Sequence, residues 1–182
     1  MRIIAGEARG RTIEAPKGRD TRPTLDRVRE NLFNILQRRV WDAKVLDLFS
    51  GSGALSLEAL SRGASQAVMV DCDRAAHACQ CQNAAKLGFD SRVRILLMDW
   101  QQAVRQLTAA GEQFNLVFLD PPYAMHELSA VMESLKPLLA PEACVVVEHE
   151  ARVMPATSDG YEMFDSRKYG YAGVSFFRRV QA

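Results

Sequence analysis

The 182-residue sequence lacks long hydrophobic runs, a histidine-rich segment and a large net charge. No apolar stretch approaches the roughly 18 residues that a membrane span needs. Residues 1–6 have no signal-peptide pattern, so we expect a cytoplasmic protein without a membrane partner. The four cysteines, at 72, 79, 81 and 144, do not have the spacing of zinc ligands. We therefore predict no metal site and reduced, mostly buried thiols.

The net charge of +1 conceals an uneven distribution. Residues 1–39 contain ten basic and five acidic residues, a net charge of +5, whereas residues 40–182 contain 13 basic and 17 acidic residues. The chain end adds Arg167, Lys168, Arg178 and Arg179 without an acid after residue 165. Clustered basic ends on a nearly neutral protein favour a polyanionic partner, with a solvated charged surface as the alternative.

From residue 44 onward, short apolar runs alternate with segments of helical periodicity. Strands are predicted at 45–49, 66–70, 93–97, 114–119 and 143–148, and helices at 54–62, 74–87, 101–110 and 127–139. This alternation indicates a parallel sheet covered by helices on both faces. Segments 161–168 and 172–179 are predicted to form an antiparallel pair that closes one edge of the sheet.

The first 39 residues are interpreted as an N-terminal extension, and residues 40–182 as the main domain. Segments 2–5 and 11–14 have the pattern of a hairpin, with glycines near the turn. Thr24 can cap a helix that runs to about residue 39. A chain of 182 residues suits one such domain with a small appendage.

The predicted strand at 114–119 leads directly into Asp120-Pro121-Pro122-Tyr123. Open α/β sheets bind their ligands at the carboxyl ends of their strands, which is where these four residues should lie. The two prolines stiffen the turn and remove two backbone donors. Asp120 and nearby carbonyls remain as acceptors, and Tyr123 offers an aromatic face. The segment suits a planar group that carries an N–H, although a plain strand-ending turn is the alternative.

The turn after the first strand has the sequence Asp47-Leu48-Phe49-Ser50-Gly51-Ser52-Gly53. Its glycines permit a tight turn and a close approach of a ligand to the backbone. A dinucleotide-binding motif would have a third glycine at Ser56 and no acid at Asp47. A pyrophosphate would be repelled by that acid, whereas a cationic ligand would be attracted.

Acidic residues follow four successive predicted strands, at Asp47, Asp71, Asp99 and Asp120. Asp71 can accept hydrogen bonds from ribose hydroxyls. Asp99, with Trp100 beside it, is placed to meet an adenine amino group. The four acids together describe a pocket for an adenosine that carries a positive charge and no phosphate, which is S-adenosylmethionine. The predicted cofactor-binding residues are Asp47, Phe49, Ser50, Gly51, Ser52, Gly53, Asp71, Cys72, Asp99 and Trp100.

Several segments resemble the 16S ribosomal RNA guanine-N2 methyltransferase family (RsmD). They are residues 2–6, 9–11, 22–24, 27–34, 46–53, 58–64 and the Asp-Pro-Pro-Tyr motif, so the similarity covers nearly the whole chain. It implies a Rossmann-like class I methyltransferase fold with a mostly parallel seven-stranded sheet and an antiparallel edge. One departure is Asp71, where this family more often has Glu.

The resemblance implies transfer of a methyl group from S-adenosylmethionine to the exocyclic N2 of a guanine, position 966 of 16S rRNA. The expected substrate is a partly assembled 30S subunit, and the expected enzyme a monomer. Asp120 and the Pro121 carbonyl would each accept one N–H of the amine, and Tyr123 would stack on the flipped base. Pro122 completes the predicted catalytic segment.

The extension is predicted to bind RNA rather than to build the cofactor site. The candidate RNA-binding residues are Arg2, Arg9, Arg11, Arg22, Thr24, Arg27, Arg167 and Lys168. Arg22 and Arg27 flank the start of the predicted helix, where backbone N–H groups also favour an anion. The alternative is that both arginines pair with Asp20, Asp26 or Glu30 and have a structural role.

Two other functions remain open. The same fold could methylate DNA adenine, another RNA or a protein amide, although DNA enzymes usually need additional recognition sequence. A non-catalytic RNA-binding factor could also use this fold as a scaffold. That reading predicts a degenerate cofactor turn, whereas Asp47, Gly51 and Gly53 are all present.

Overall fold

A computed structural model of the chain describes residues 1–16, 23–122, 127–155 and 158–180, with the backbone alone at 23–25. The strands are β1 (Lys44–Asp47), β2 (Gln66–Asp71), β3 (Val93–Leu97), β4 (Phe114–Leu119), β5 (Leu139–Glu150), β6 (Tyr161–Tyr169) and β7 (Ala172–Arg179). The helices are α1 (Pro23–Leu36), α2 (Ala54–Ser61), α3 (Arg74–Leu87), α4 (Trp100–Ala109) and α5 (Leu128–Leu135). Short 3-10 turns follow at Gln37–Arg39, Asp90–Arg92 and Lys136–Leu138.

The strands form one seven-stranded sheet in the order β3-β2-β1-β4-β5-β7-β6. Strands β1 to β5 are parallel, whereas β7 runs antiparallel to both of its neighbours. Strands β2 and β3 are added outward on one side of β1. The chain then returns, and β4 and β5 are added on the other side of β1. The carboxyl ends of β1 and β4 therefore flank a topological switch point, where such sheets bind ligands.

Two hydrophobic clusters cover the two faces of the sheet. One cluster combines α1, α2, α3 and the N-terminal segment, with Ile3, Leu32, Leu60 and Phe118 among its buried members. The other combines α4 and α5, with Leu107 and Met132 among its members. The central strands β1 and β4 are thus buried on both faces, which accords with their nearly continuous apolar runs.

The N-terminal segment, residues 1–16, packs on the first of these faces. Arg2 and Thr12 form an isolated antiparallel bridge, so the predicted hairpin is reduced to one bridge. The buried carboxylate of Glu58 on α2 accepts the Ile4 N–H at 2.8 Å and the Ala5 N–H at 3.1 Å. Gly6 has a positive φ of 84°, and a side chain there would collide with the Ser61 carbonyl. The segment is therefore fixed to the sheet domain through α2.

The sequence predicted most element bounds correctly, including α3, which Gly88 ends with a left-handed φ of 74°. The predicted helix at 127–139 is too long, because Pro137 lies in a 3-10 turn and β5 already begins at Leu139. The prediction of mostly buried thiols is wrong for Cys72 and Cys81, which are exposed. No helix among the described residues is long and apolar enough to cross a membrane.

Candidate functional site

Four acidic residues meet at the carboxyl edge of the sheet, as the sequence predicted. Asp47 and Asp71 end β1 and β2, Asp99 follows β3, and Asp120 follows β4. These four strands are adjacent in the sheet. Since the carboxyl ends of parallel strands share one edge, the four residues lie along the same edge of the sheet.

The glycine turn after β1 is held in place by the sheet and by α3. The Ser50 N–H donates to the Val70 carbonyl at 3.0 Å, and the Gly51 N–H donates to Asp71 Oδ2 at 2.9 Å. Gly51 and Gly53 have φ values of 53° and 80°, in the left-handed region that favours glycine. A Cβ on Gly53 would lie 2.8 Å from Met69 Sδ. The turn therefore needs glycine for both conformation and space.

Two fully buried amides on α3 brace this turn, and the sequence analysis missed both. Gln80 Nε2 donates to Ser50 Oγ and to the Gly51 carbonyl, both at 2.9 Å. Asn83 Nδ2 donates to the Ser52 carbonyl at 3.0 Å and to the Glu14 carbonyl at 2.9 Å. The sequence gives one signal for this bracing role. Gln80 and Asn83 are three residues apart, so they lie on the same side of a helix that comes after the turn.

Asp47 is the most strongly perturbed acid along the carboxyl edge of the sheet. It is 1% exposed, and only its Oδ2 has a partner among the described residues, a hydrogen bond of 3.1 Å donated by Ser56 Oγ. Burial, with smaller contributions from the charges of Asp120 and Asp71, raises the pKa of Asp47 to about 8, although the hydrogen bond from Ser56 acts in the opposite direction. An unpaired buried carboxyl oxygen suits a ligand that brings a positive N–H donor.

The carboxyl groups of Asp71 and Asp99 already accept hydrogen bonds from backbone N–H groups. Asp71 accepts the Gly51 N–H and, through Oδ1, the Asp73 N–H at 2.9 Å. Asp99 caps α4, since its Oδ1 accepts the Gln102 N–H at 2.8 Å. Each carboxyl group retains acceptor capacity for a ligand, because a carboxylate offers about four lone-pair sites. These contacts fix the orientation of both side chains.

Two cavities open along this edge and share Phe49, Asp120 and Glu148. One, of about 380 Å³, includes Asp47, Ser50, Gly51 and Ser52 together with Arg29 and Leu32 of α1. The other, of about 420 Å³, includes Asp71, Cys72, Asp99, Trp100, Pro121 and Pro122. The described catalytic and cofactor-binding candidates are thus divided between two adjoining spaces, except Gly53, which lines neither of them. Tyr123, the last residue of the predicted catalytic segment, lies outside the described residues.

Glu148 on β5 was missed by the sequence analysis. Burial raises the pKa of its carboxyl group well above the ordinary range, and the charge of Asp120 adds to this effect. The sequence contained one usable signal, since Glu148 extends the series of acids at strand ends to a fifth strand. It was not recognised because the residue was interpreted only as the last position of an apolar strand.

The N-terminal segment contributes directly to the first cavity. Met1, Ala15 and Pro16 line it, as do Val28 and Arg29 of α1. The extension was predicted to bind RNA rather than to build the cofactor site, and the structure shows that it also lines this cavity. The apolar residues of the N-terminal segment pack on the sheet face that α1, α2 and α3 also cover. This places them over the glycine turn that follows β1.

The predicted RNA-binding side chains that the structure describes are all exposed: Arg2, Arg9, Arg11, Arg27, Arg167 and Lys168. Arg11 donates to the Leu87 carbonyl at 3.3 Å and to the Lys86 carbonyl. Arg167 pairs with Asp165 at 2.9 Å. Arg22 and the Thr24 side chain lie outside the described residues.

The structural alternative for Arg27 finds no support in the described part of the chain. Arg27 makes no ion pair with Asp26 or Glu30, since Asp26 pairs with Arg29 at 3.0 Å, and Asp20 lies outside the described residues. Arg29 is 5% exposed, donates to the Arg2 carbonyl and lies 3.7 Å from Glu58. Arg29, which the sequence analysis did not single out, therefore has the structural role that was considered for Arg27.

The fold and the position of the site define the class of the protein. A seven-stranded sheet of this order, with a glycine turn after β1, is the Rossmann-like fold of class I methyltransferases. A crystal structure of SMU.776, "a putative methyltransferase complexed with SAH", has this fold, with a TM-score of 0.73 and 16% identity over 87% of this chain and 50% of that one. At this identity, the likeness concerns the fold alone.

The chain belongs to the family described as "Conserved hypothetical protein 95", whose model matches residues 1–178. "Ribosomal RNA small subunit methyltransferase D" of Escherichia coli strain K12 is 36% identical over 182 residues, 98% of this chain and 90% of that protein. The structure "Putative methyltransferase yhhF from Escherichia coli" has a TM-score of 0.87 and 36% identity, covering 99% and 98% of the two chains. The predicted family resemblance is confirmed.

Proposed function

We propose that the protein transfers a methyl group from S-adenosylmethionine to the N2 amine of a guanine in 16S rRNA, at position 966. The observation that carries the proposal is the position of Asp120, where the two cavities adjoin. One cavity contains the unpaired oxygen of Asp47, and the other contains Asp71 and Asp99. The relationship to ribosomal RNA small subunit methyltransferase D of Escherichia coli supports an rRNA substrate.

The residues present fit S-adenosylmethionine, which would supply an electrophilic methyl group on a positively charged sulfur. Asp47 Oδ1 is a buried acceptor without a partner among the described residues, and the ammonium of the cofactor would satisfy it. Asp71 would accept hydrogen bonds from the ribose, and Asp99 from the adenine amine. Phe49, Cys72 and Trp100 would surround the adenosine, since Cys72 and Trp100 line the second cavity and Phe49 lines both.

The guanine N2 is a weak nucleophile because its lone pair is delocalised into the ring. Asp120 and the Pro121 carbonyl would each accept one N–H, which directs the lone pair and stabilises the positive charge that develops on nitrogen. One N–H proton must leave the methylated amine, and Asp120, which would already accept one of its N–H groups, would take it. Tyr123 would stack on the base after it leaves its helix.

The exposed arginines of the N-terminal segment would position the RNA through its phosphates. Arg2, Arg9 and Arg27 make no side-chain ion pair among the described residues, so their charges are available to a polyanion. Arg167 and Lys168 on β6 would extend this surface. We also propose that the protein acts as a monomer in the cytoplasm, on partly assembled 30S particles.

Methyl transfer from labelled S-adenosylmethionine tests the proposal. Naked 16S rRNA and 30S precursors that lack the modification would be compared, and the labelled nucleotide would be identified by nuclease digestion and mass spectrometry. We expect N2-methylguanosine at position 966, abolished by Asp120→Asn. Asp90→Asn, at an exposed carboxyl group on the 3-10 turn before β3, is the matched control.

Other outcomes would refute the proposal in distinct ways. Label on DNA adenine, on a protein amide or on another nucleotide would assign the same chemistry to a different substrate. Binding of the cofactor without transfer to any of these substrates would contradict the assignment of N2-methylation. Absence of cofactor binding, with RNA binding intact, would favour a non-catalytic RNA-binding factor.

A further inference from the structure

Glu148 lies beside Asp120 because of the pairing between β4 and β5. Leu119 is paired with Val147, and the residues that follow them, Asp120 and Glu148, line the same two cavities. Residues at paired positions of parallel strands project to the same face of the sheet. The two carboxyl groups therefore extend from the same face, at the edge where the two cavities adjoin.

The same face carries Asp47. Asp47 is paired with Phe118, which is paired with Val146 on β5. Since side chains alternate along a strand, Glu148 on β5 repeats the orientation of Val146, and Asp120 lines the same cavity as Asp47 and Glu148. The cavity that contains the unpaired oxygen of Asp47 is therefore bordered at its far end by Asp120 and Glu148 together.

Glu148 has acceptor capacity that the protein does not use. Its side chain is partly buried and accepts no hydrogen bond from any residue that the structure describes. A poorly hydrated carboxylate without a donor is unfavourable, so a ligand that brings an N–H would be stabilised there. Arg29, the basic residue that lines this cavity, is engaged by Asp26, Glu58 and the Arg2 carbonyl.

We infer that Glu148 determines the specificity for guanine by accepting its N1–H while Asp120 accepts an N2–H. This inference rests on the proposed function. Guanine presents N1–H and N2–H side by side, which matches two adjacent carboxylates. Adenine presents a lone pair at N1, which the carboxylate form of Glu148 repels. Burial raises the pKa of Glu148 to about 8, so the discrimination should be largest above that pH. A site built to accept a hydrogen bond discriminates strongly against an analogue that lacks the donor.

The test uses RNA in which 2-aminopurine replaces the target guanine. 2-Aminopurine keeps the 2-amine that would be methylated but lacks both the N1–H and the O6 of guanine, so the comparison with Glu148→Gln is needed to isolate the N1–H contact. The wild-type protein should methylate the guanine RNA at least ~100-fold more efficiently, measured as kcat/KM. Glu148→Gln, whose amide can also donate a hydrogen bond, should reduce this preference at least ~10-fold. Glu150→Gln, at an exposed position two residues further along β5, should leave the preference unchanged.

The outcomes separate the inference from the function on which it rests. If Glu148→Gln lowers methylation of both RNAs by the same factor, the inference is wrong. Loss of S-adenosylmethionine binding in Glu148→Gln, measured by calorimetry, would also overturn it, because Glu148 would then belong to the cofactor site. If the wild-type protein methylates no guanine at all, the proposed function fails. An unchanged melting temperature shows that the variant is folded.

Discussion

Replacing Asp47 with asparagine should remove part of the pH dependence of the protein's stability and should weaken its binding of S-adenosylmethionine. Burial raises the pKa of Asp47 to about 8 in the folded protein, against an ordinary value of 3.8. At pH 7 the free protein should therefore hold a proton on about nine-tenths of its Asp47 side chains. An ammonium group bound at Asp47 Oδ1 favours the carboxylate, so binding of the cofactor should release that proton.

The effect on stability follows from the same shift. Between about pH 4 and pH 8 the folded protein binds more protons at Asp47 than the unfolded chain does. The free energy of unfolding therefore falls as the pH rises through this window. A shift of roughly four units at about 1.36 kcal/mol per unit gives an upper bound of ~5 kcal/mol. Asp47→Asn cannot ionise and should lose this pH dependence.

Calorimetry in two buffers with different enthalpies of ionisation measures the proton release directly. The wild-type protein should release about 0.9 proton per cofactor at pH 7 from Asp47, and Asp47→Asn should bind at least ~100-fold more weakly. Urea unfolding at pH 5 and pH 9 should show the variant gaining several kcal/mol relative to the wild type as the pH rises. Asp90→Asn, at an exposed carboxyl group, is the control for both measurements.

Two results would refute this reasoning. Equal binding enthalpies in the two buffers would show that no proton leaves on binding, and hence that Asp47 is already ionised or lies away from the cofactor. Cofactor affinity that is unchanged in Asp47→Asn would show that the unpaired oxygen has another role.

Three further predictions concern the turn, the acceptor and the RNA surface. Gly51→Val should abolish cofactor binding measured by calorimetry, since Gly51 has φ 53° and lines the first cavity; retained affinity would contradict the assigned site. Asp120→Ala should lower kcat far more than cofactor affinity, because its interaction is strongest in the transition state; normal turnover would make Asp120 a turn residue. Arg22→Glu combined with Arg27→Glu should weaken RNA binding and reduce its salt slope by roughly one unit per lost phosphate contact, with little change in melting temperature. A lower melting temperature with unchanged RNA affinity would instead assign both arginines a structural role.

The sequence predicted the acids at the strand ends because a simple rule places them. Apolar runs of strand length, separated by helical periodicity, determine which residues follow each strand. Asp47, Asp71, Asp99 and Asp120 each come directly at or after such a run, so their common location follows from a parallel sheet. The glycines of the turn were recognisable for a similar reason, since they follow β1 directly.

The polar residues that complete the site had no comparable signal. Gln80 and Asn83 lie in a helix with weak amphipathic character, and their burial depends on carbonyl groups of a distant turn. Arg29 and Glu58 are buried because each has a partner on another element. The Arg29 guanidinium lies near the Glu58 carboxylate, which also accepts the Ile4 N–H. Composition and periodicity describe which side chains avoid water, but they do not identify a polar side chain whose partners come from elsewhere in the chain.

The attachment of the N-terminal segment has a consequence for the order in which the chain folds during synthesis. Its first residues are bound to groups that come much later in the sequence, Ile4 to Glu58 and Glu14 to Asn83. Glu7 pairs with Arg92. The segment leaves the ribosome first, yet it cannot reach its final position until about half of the chain has been made. This protein should therefore close its first cavity late, once α2 and α3 are available to hold the segment.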